Sequence, residues 1–324
     1  MRKTIFSTVL GMVLVITALS ANAHALKYVT GTNTPFFEDA EKTQVFISTA
    51  TKTPKGTVVI LHGMILVNFE IYANLIIDLT NRGYDVIFPQ YQEAGFAIIS
   101  SMGLLALLGG ESPSHIEWTQ NAITGINWGL SAIIPYWYNW YTPVIRKPST
   151  NLYIFAHSVG GAIGYNIPLL SSTLKSKIKG MVLANAVQDP AALSAGTMPA
   201  GIEMPDIELI DVVAAGAQIN VPLLYLTGNQ DAWADDYQAS LFMDNAATAN
   251  KKKLEAISPD ADHMAPATNQ GPLFDLLSWT GLTQSMLGGD AEWNTMDTQF
   301  YVPAILHLIG GNSATSFNPA VSWQ

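Results

Sequence analysis

Residues 151–161 read Asn-Leu-Tyr-Ile-Phe-Ala-His-Ser-Val-Gly-Gly, and this stretch carries the strongest structural signal in the chain. The apolar run at 152–155 predicts a short buried strand, and the residues that follow the glycines suit a helix. A sharp turn between a strand and a helix holds its serine, here Ser158, away from the backbone. Small residues two positions before and after the serine, Ala156 and Gly160, let the strand and the helix approach each other closely. The stretch is a near-match to Gly-x-Ser-x-Gly, with alanine at the first glycine.

Other apolar runs predict further strands on both sides of this unit. They lie at 57–61, 84–88, 178–183, 221–226 and 254–257, with a weaker alternating run at 44–48. Apolar residues recur at helical spacing between several of these runs, for example over residues 69–79. Apolar strands that alternate with helical patterns predict an α/β fold with a mostly parallel central sheet flanked by helices.

The N-terminus predicts export. Arg2 and Lys3 precede an uncharged apolar stretch, after which both Ala21-Asn22-Ala23 and Ala23-His24-Ala25 fit a cleavage site. A charged start, a short apolar centre and a small-residue exit are the parts of a secretory signal peptide, which we expect at residues 1–23. An uncleaved membrane anchor is the alternative, but the apolar run is short for a membrane span. After removal of the signal peptide, residues 24–324 would form one α/β domain, located in the periplasm or outside the cell.

Composition narrows the classes of function. Hydrophobic residues make up 49% of the 324 residues and charged residues 12%, so a sizeable core is available. The chain contains no cysteine, which excludes a thiol nucleophile, a cysteine-ligated zinc site and disulfide bonds. The formal net charge of −10 repels nucleic acid and anionic membrane surfaces, so we expect no nucleic-acid partner.

The segment between the predicted strands at 84–88 and 152–155 is too long for a simple crossover. It contains an uncharged apolar run at 94–110 and an aromatic cluster at 136–141. One interpretation is buried core with an ordinary crossover helix at about 115–133. The other is a lid-like insertion at about 92–145 that covers a site and faces an acyl or aromatic substrate.

Two downstream residues have the chemistry that a serine nucleophile needs. A serine hydroxyl is a poor nucleophile at neutral pH unless an imidazole accepts its proton and a carboxylate orients that imidazole. Asp231 follows the predicted strand at 221–226, and His263 follows the one at 254–257. Both candidates, like Ser158, lie just beyond the carboxyl end of a predicted strand, the edge where parallel sheets build their sites.

Other residues of the same types leave alternatives open. Asp206 or Asp211 could orient the histidine, and His115 and His307 compete with His263. His115 precedes the serine in the chain, whereas His307 lies in an apolar run that predicts a packed helix. Serine and aspartate also favour helix N-caps, which gives Ser158 and Asp231 a purely structural interpretation.

The serine motif and the order Ser, Asp, His resemble the α/β-hydrolase superfamily, in its serine esterase and lipase branch, over about residues 57–263. The resemblance implies that Ser158 is the nucleophile, His263 the general base and acid, and Asp231 the orienting carboxylate. It also implies an oxyanion hole made by the backbone N–H groups of Val159 and Met64. The departure from the family pattern is Ala156, whose methyl group is small enough to fit.

These features predict an exported serine hydrolase that cleaves carboxylic esters through an acyl-enzyme. We expect a small-molecule or lipid ester as the substrate, with transient contact to a lipid interface. No cofactor is implied, and no clustered histidine and carboxylate motif indicates a metal site. A peptidase, amidase, thioesterase or perhydrolase would use the same triad, and a catalytically silent hydrolase fold would act as a binding protein.

Overall fold

The computed structural model describes residues 27–32, 42–64, 66, 68–92, 114–138, 142–189, 207–269 and 292–319. The predicted signal peptide at 1–23 lies outside these residues, as do positions 93–113 and 139–141 of the predicted lid-like insertion. Both therefore stay predictions. Within the described ranges, no helix is long and apolar enough to cross a membrane.

Ten strands are described, and eight of them form the central sheet. The ten are β1 (Lys27–Thr32), β2 (Lys42–Ile47), β3 (Thr57–Leu61), β4 (Asp85–Pro89), β5 (Ile134–Tyr138), β6 (Thr142–Arg146), β7 (Leu152–His157), β8 (Ile178–Ala184), β9 (Leu223–Gly228) and β10 (Lys251–Ala256). The sheet order is β1-β2-β4-β3-β7-β8-β9-β10, and β5 pairs with β6 in a separate hairpin. β2 is antiparallel to both of its neighbours, and all other pairs in the central sheet are parallel.

Helices cover both faces of this sheet. They are α1 (Ala73–Asn81), α2 (His115–Ser131), α3 (Gly160–Leu170), α4 (Ser172–Lys177), α5 (Val212–Gly216), α6 (Asp236–Asn245) and α7 (Val302–Ile309). The side chains of β3 alternate between two cores: Val58 and Ile60 pack with α1 and α7, whereas Val59 and Leu61 pack with α2 and α3. Two covered faces explain why this strand is continuously apolar. The predicted mostly parallel sheet flanked by helices is therefore confirmed.

The order of the strands positions a site between β3 and β7. β3 pairs with β4 on one side and with β7 on the other. The strand that follows β3 in the chain is added on one side of it, and the later strands β7 to β10 are added on the other side. In open parallel sheets a crevice forms outside the carboxyl ends of the strands at such a switch point. The residues that follow β3 and β7 therefore flank the crevice.

Some elements differ from the sequence-based expectations. The strand β1 and the hairpin β5–β6 were not expected, although α2 coincides with the predicted crossover helix at about 115–133. Part of the aromatic cluster forms β5, where Tyr136 is buried and donates a hydrogen bond to the carbonyl oxygen of Thr51 at 3.0 Å. Tyr136 is therefore buried, and the choice between core and lid for the whole segment stays a prediction.

A buried ion pair fixes the hairpin to the central sheet. The guanidinium of Arg146, at the end of β6, contacts both carboxylate oxygens of Asp85, at the start of β4, at 2.5 and 2.7 Å. It also donates to the carbonyl oxygen of Ser48 at 2.9 Å, and the N–H of Ser48 donates to Asp85. Burial raises the pKa of Asp85, and the hydrogen bonds from Arg146 oppose that rise.

We expect Arg146→Met to destabilise the fold by about 3–5 kcal/mol, because it leaves the buried Asp85 carboxylate without its cation. The matched control is Arg82→Met, since Arg82 pairs with Asp78 on an exposed surface and should contribute at most about 1 kcal/mol. Urea denaturation of both variants measures the difference. Equal losses of stability would contradict a structural role for the buried pair.

A second buried carboxyl makes stability depend on pH. Asp297 opens the π-helical turn Asp297–Tyr301 before α7 and is only 1% exposed. Burial raises its pKa to about 8, and a hydrogen bond from the backbone N–H of Asn294 opposes the rise. Between about pH 4 and pH 8 the folded state keeps a proton that the unfolded chain has lost, so stability falls as the pH rises through this window.

Asp297→Asn should remove this dependence, because the amide is neutral at every pH and its oxygen can still accept the bond from Asn294. The variant should melt at a higher temperature than the wild type at about pH 8, with the difference shrinking toward about pH 4. The exposed Asp244 supplies the control, Asp244→Asn, which should show no such trend. Thermal melts across the window would refute the assignment if both variants followed the wild-type curve.

Candidate active site

The turn between β7 and α3 holds Ser158 in a strained backbone conformation. Its φ angle is 56°, in the left-handed region that residues with a side chain seldom adopt. The turn is held by hydrogen bonds from the Ser158 N–H to the carbonyl oxygen of Ala184 and from the N–H groups of Gly161 and Val187 to the Ser158 carbonyl oxygen. Strain of this kind persists only where the surrounding structure enforces it, and such residues cluster at functional sites.

The residues around this turn are small because the backbones nearly touch. A methyl group at Gly160 would lie 2.5 Å from the carbonyl oxygens of both Leu61 and His62, at the end of β3. The fully buried Ala156 replaces the expected glycine, and it faces Gly164, where an added methyl group would lie 3.2 Å from the Ala156 Cβ. The space left by Gly164 therefore accommodates the departure from the family pattern.

The structure brings together Ser158, Asp231 and His263. His263 Nε2 lies 2.8 Å from Ser158 Oγ, and His263 Nδ1 lies 3.0 Å from each carboxylate oxygen of Asp231. The three residues are 5%, 8% and 3% exposed, so solvent screens these contacts only weakly. Because the carboxylate can only accept hydrogen bonds, Nδ1 carries the proton and Nε2 is free to accept one from the serine hydroxyl.

Asp231 also closes the turn in which it lies. Its Oδ1 accepts hydrogen bonds from the N–H groups of Trp233 at 2.8 Å and Ala234 at 3.0 Å. The helix α6 begins at Asp236 and is capped by Asp235, so Asp231 does not cap a helix here. The local hydrogen bonds hold the Asp231 carboxylate in one orientation, so the turn and the contact with His263 depend on the same side chain.

The competing residues have other surroundings. Asp211 caps α5 by accepting hydrogen bonds from Val213 and Ala214, whereas Asp206 lies outside the described residues. His307 Nε2 contacts the carbonyl oxygen of Ser313 on the surface. His115 is fully buried, and its ring nitrogens have no hydrogen-bond partner in the part of the chain that the structure describes. Burial lowers the pKa of His115 to about 4.

The loop after β3 lies against the serine. A methyl group at Gly63 would be 3.1 Å from the Ser158 Cβ, and the Gly63 N–H already donates to Tyr72 Oη at 3.1 Å. The half-buried Met64 follows. His62 holds the loop: its ring stacks on Tyr91 with centroids 4.1 Å apart, and its Nδ1 donates to the Gly63 carbonyl oxygen at 2.8 Å. Burial lowers the pKa of His62 to about 4, so the ring is neutral at pH 7.

Sequence reasoning missed a set of buried polar residues behind Ser158, Asp231 and His263. Asn185 follows β8 with a φ of 49°, and its Nδ2 donates to the carbonyl oxygens of Asp262 at 2.7 Å and His263 at 3.1 Å. Tyr301 donates to Asn185 Oδ1 at 3.3 Å, which connects the C-terminal segment to the His263 loop. His157 directly precedes Ser158, and that position was the available sequence signal.

The described ranges contain no group of three or more metal-ligating side chains.

The solved structures to which this chain is similar include Est1E, an esterase B and a dienelactone hydrolase. Est1E from Butyrivibrio proteoclasticus is 12% identical, with 80% of this chain and 98% of that one covered and a TM-score of 0.49. Esterase B from Lactobacillus rhamnosis is 12% identical, with 87% and 93% covered and a TM-score of 0.48. Dienelactone hydrolase from Anabaena variabilis is 10% identical, with 82% and 100% covered and a TM-score of 0.46. No protein-family model matches the sequence, and no curated protein matches it.

We expect Gly160→Ala to lower stability by about 1–3 kcal/mol, because its methyl group would meet two backbone carbonyl oxygens that cannot move aside independently. Gly180→Ala is the control, since its nearest neighbour is the side chain of Leu308 at 3.3 Å, which can adjust. Circular dichroism melts compare the two. If the Gly160→Ala protein were as stable as the control, the backbones of α3 and β3 could not lie as close together as described.

Proposed function

We propose that this chain, which has the α/β-hydrolase fold, is an exported serine hydrolase that cleaves carboxylic esters through an acyl-enzyme. The observation that carries the proposal is the continuous hydrogen-bonded series from Ser158 Oγ through the His263 imidazole to the Asp231 carboxylate. It lies at the carboxyl edge of a mostly parallel sheet, with the serine on a strained turn between strand and helix.

The geometry supports nucleophilic attack by the serine. His263 Nε2, 2.8 Å from Ser158 Oγ, accepts the hydroxyl proton as Oγ bonds to the carbonyl carbon of the ester. The imidazolium that forms keeps its Nδ1–H directed at Asp231, which stabilises the positive charge. The same Nε2–H then protonates the leaving alcohol, and the ester bond breaks to give an acyl-serine and the free alcohol.

Hydrolysis of the acyl-serine repeats these steps with water. His263 removes a proton from the attacking water and returns it to Ser158 Oγ, which releases the carboxylic acid and restores the enzyme. Trp233 lies beside the imidazole, with ring centroids 5.0 Å apart, and forms an apolar surface next to the reacting centre. An apolar surface favours an acyl or aromatic ester as the substrate.

Two backbone N–H groups are the proposed oxyanion donors. Val159 follows the nucleophile directly, and its side chain is buried at the start of α3. The Gly63 N–H is engaged by Tyr72, so the next N–H along the loop, that of Met64, is the second candidate. In other enzymes one such donor contributes about 3 kcal/mol of transition-state stabilisation.

Ser158→Ala should reduce kcat for a short-chain nitrophenyl ester by about 10⁴-fold or more, because the acyl-enzyme can no longer form. Asp231→Asn should also lose activity, because its amide favours the wrong His263 tautomer while its oxygen keeps the turn closed. A fluorophosphonate should label the wild type at Ser158 and leave Ser158→Ala unlabelled. The exposed Ser176 gives the control, Ser176→Ala, which should behave like the wild type.

Full turnover by Ser158→Ala would reject the proposed mechanism, and an unlabelled wild type would favour a silent binding protein. Esters, amides and thioesters of one acyl group, compared by kcat/KM, distinguish the ester hydrolase from an amidase or a thioesterase. N-terminal sequencing of the exported protein tests the expected removal of residues 1–23.

A further inference from the structure

A buried series of hydrogen bonds runs behind the proposed triad. The Gly63 N–H lies 3.1 Å from Tyr72 Oη, and Tyr72 Oη lies 2.8 Å from His157 Nδ1. On the other side of the same ring, His157 Nε2 lies 2.8 Å from the carbonyl oxygen of His263. Tyr72 and His157 are both 0% exposed, so these contacts are shielded from water. The series joins three segments: the loop after β3, the turn between β7 and α3 that carries Ser158, and the loop after β10 that carries His263.

The chemistry of the partners allows one direction for these bonds. A carbonyl oxygen only accepts hydrogen bonds. His157 Nε2 therefore carries a proton and donates a hydrogen bond to the backbone carbonyl oxygen of His263. Burial lowers the pKa of His157 well below its ordinary value, with the nearby His263 ring acting in the same direction, so the ring is neutral. Its Nδ1 is then an acceptor for the Tyr72 hydroxyl proton, and Tyr72 Oη accepts the Gly63 N–H.

Both ends of the series lie beside groups that the proposed reaction uses. Gly63 immediately precedes Met64, whose N–H is a proposed oxyanion donor, and a turn bond from the Leu66 N–H to the Gly63 carbonyl oxygen holds this loop. At the other end, the His263 carbonyl oxygen accepts from His157 and also from Asn185 at 3.1 Å. Two donors on one carbonyl hold the backbone that carries the imidazole.

We propose that His157 is a positioning residue, which acts with Tyr72 to hold the oxyanion loop and the His263 loop at a fixed separation across Ser158. This inference rests on the proposed hydrolase function. His157 itself does not accept the serine proton, because its Nε2–H is directed at a backbone carbonyl. The ring centroids of His157 and His263 are only 5.4 Å apart. Because the His157 ring is neutral, it adds no repulsion when His263 becomes an imidazolium.

The arrangement of protons can be tested without activity. In protein with ¹⁵N-labelled histidine, the resonances lost in His157→Asn identify His157. They should report a neutral Nε2–H tautomer from about pH 6 to about pH 9. Tyr72→Phe should shift the Nδ1 resonance, because that nitrogen loses its donor. An Nδ1–H tautomer, or a titration near the ordinary histidine pKa, would refute the proposed direction of the bonds.

Measuring kcat per competent active site distinguishes a positioning role from a loss of folded protein. Fluorophosphonate titration counts competent sites, and kcat per site should fall by about 10- to 100-fold in Tyr72→Phe and His157→Asn, with KM nearly unchanged. The double variant should be little worse than either single variant, because each change interrupts the same series. His157→Gln, which can return a donor to the His263 carbonyl oxygen, should recover part of kcat.

The matched control is Tyr165→Phe, because Tyr165 is also fully buried and donates to the carbonyl oxygen of Phe242 at 2.7 Å, beneath α6. It should lower stability without changing kcat per site. If Tyr72→Phe and His157→Asn behaved like this control, His157 would have only a structural role and the inference would be wrong. A wild type without turnover or labelling would instead reject the proposed hydrolase, and this inference with it.

Discussion

The close approach of α3 to the end of β3 is the constraint on which the site depends. At Gly160 the helix backbone runs so near the carbonyl oxygens of Leu61 and His62 that no side chain fits between them. This contact turns the chain sharply after β7 and keeps Ser158 at a φ of 56°. It also places the serine beside the loop after β3, where the proposed oxyanion donor of Met64 lies. One steric requirement therefore fixes both the position of Ser158 and the backbone groups nearest to it.

Local sequence patterns predicted the central features because short-range physics determines them. Continuous apolar runs marked the strands that are covered on both faces, and the bounds of β3 agree with the run at 57–61. Ser158, Asp231 and His263 could be selected because each follows a predicted strand, and parallel strands bring their carboxyl ends to one edge. The structure places these three side chains within hydrogen-bond distance, whereas their catalytic roles remain proposals.

Features that depend on contacts between distant residues could not be predicted. Tyr72 and His157 are 85 positions apart, and only the folded sheet shows that their side chains meet. The same holds for Asn185, whose amide reaches a carbonyl oxygen 78 positions away. The strand β1 was missed because its sequence, KYVTGT, lacks an apolar alternation. Asp231 both contacts His263 and closes its own turn, although the sequence presented a contact with the histidine and a structural role as alternatives.

The ion pair between Arg146 and Asp85 has a consequence for how this protein can diversify. Asp85 opens β4 and Arg146 lies just before β7, so the pair joins two residues that bracket β4 and the excursion that follows it. The entropic cost of closing a loop grows only with the logarithm of its length. Once its ends are fastened, the excursion can gain or lose residues with little effect on the sheet. Versions of this chain with a longer or shorter excursion should therefore keep the central sheet as long as Arg146 and Asp85 remain paired.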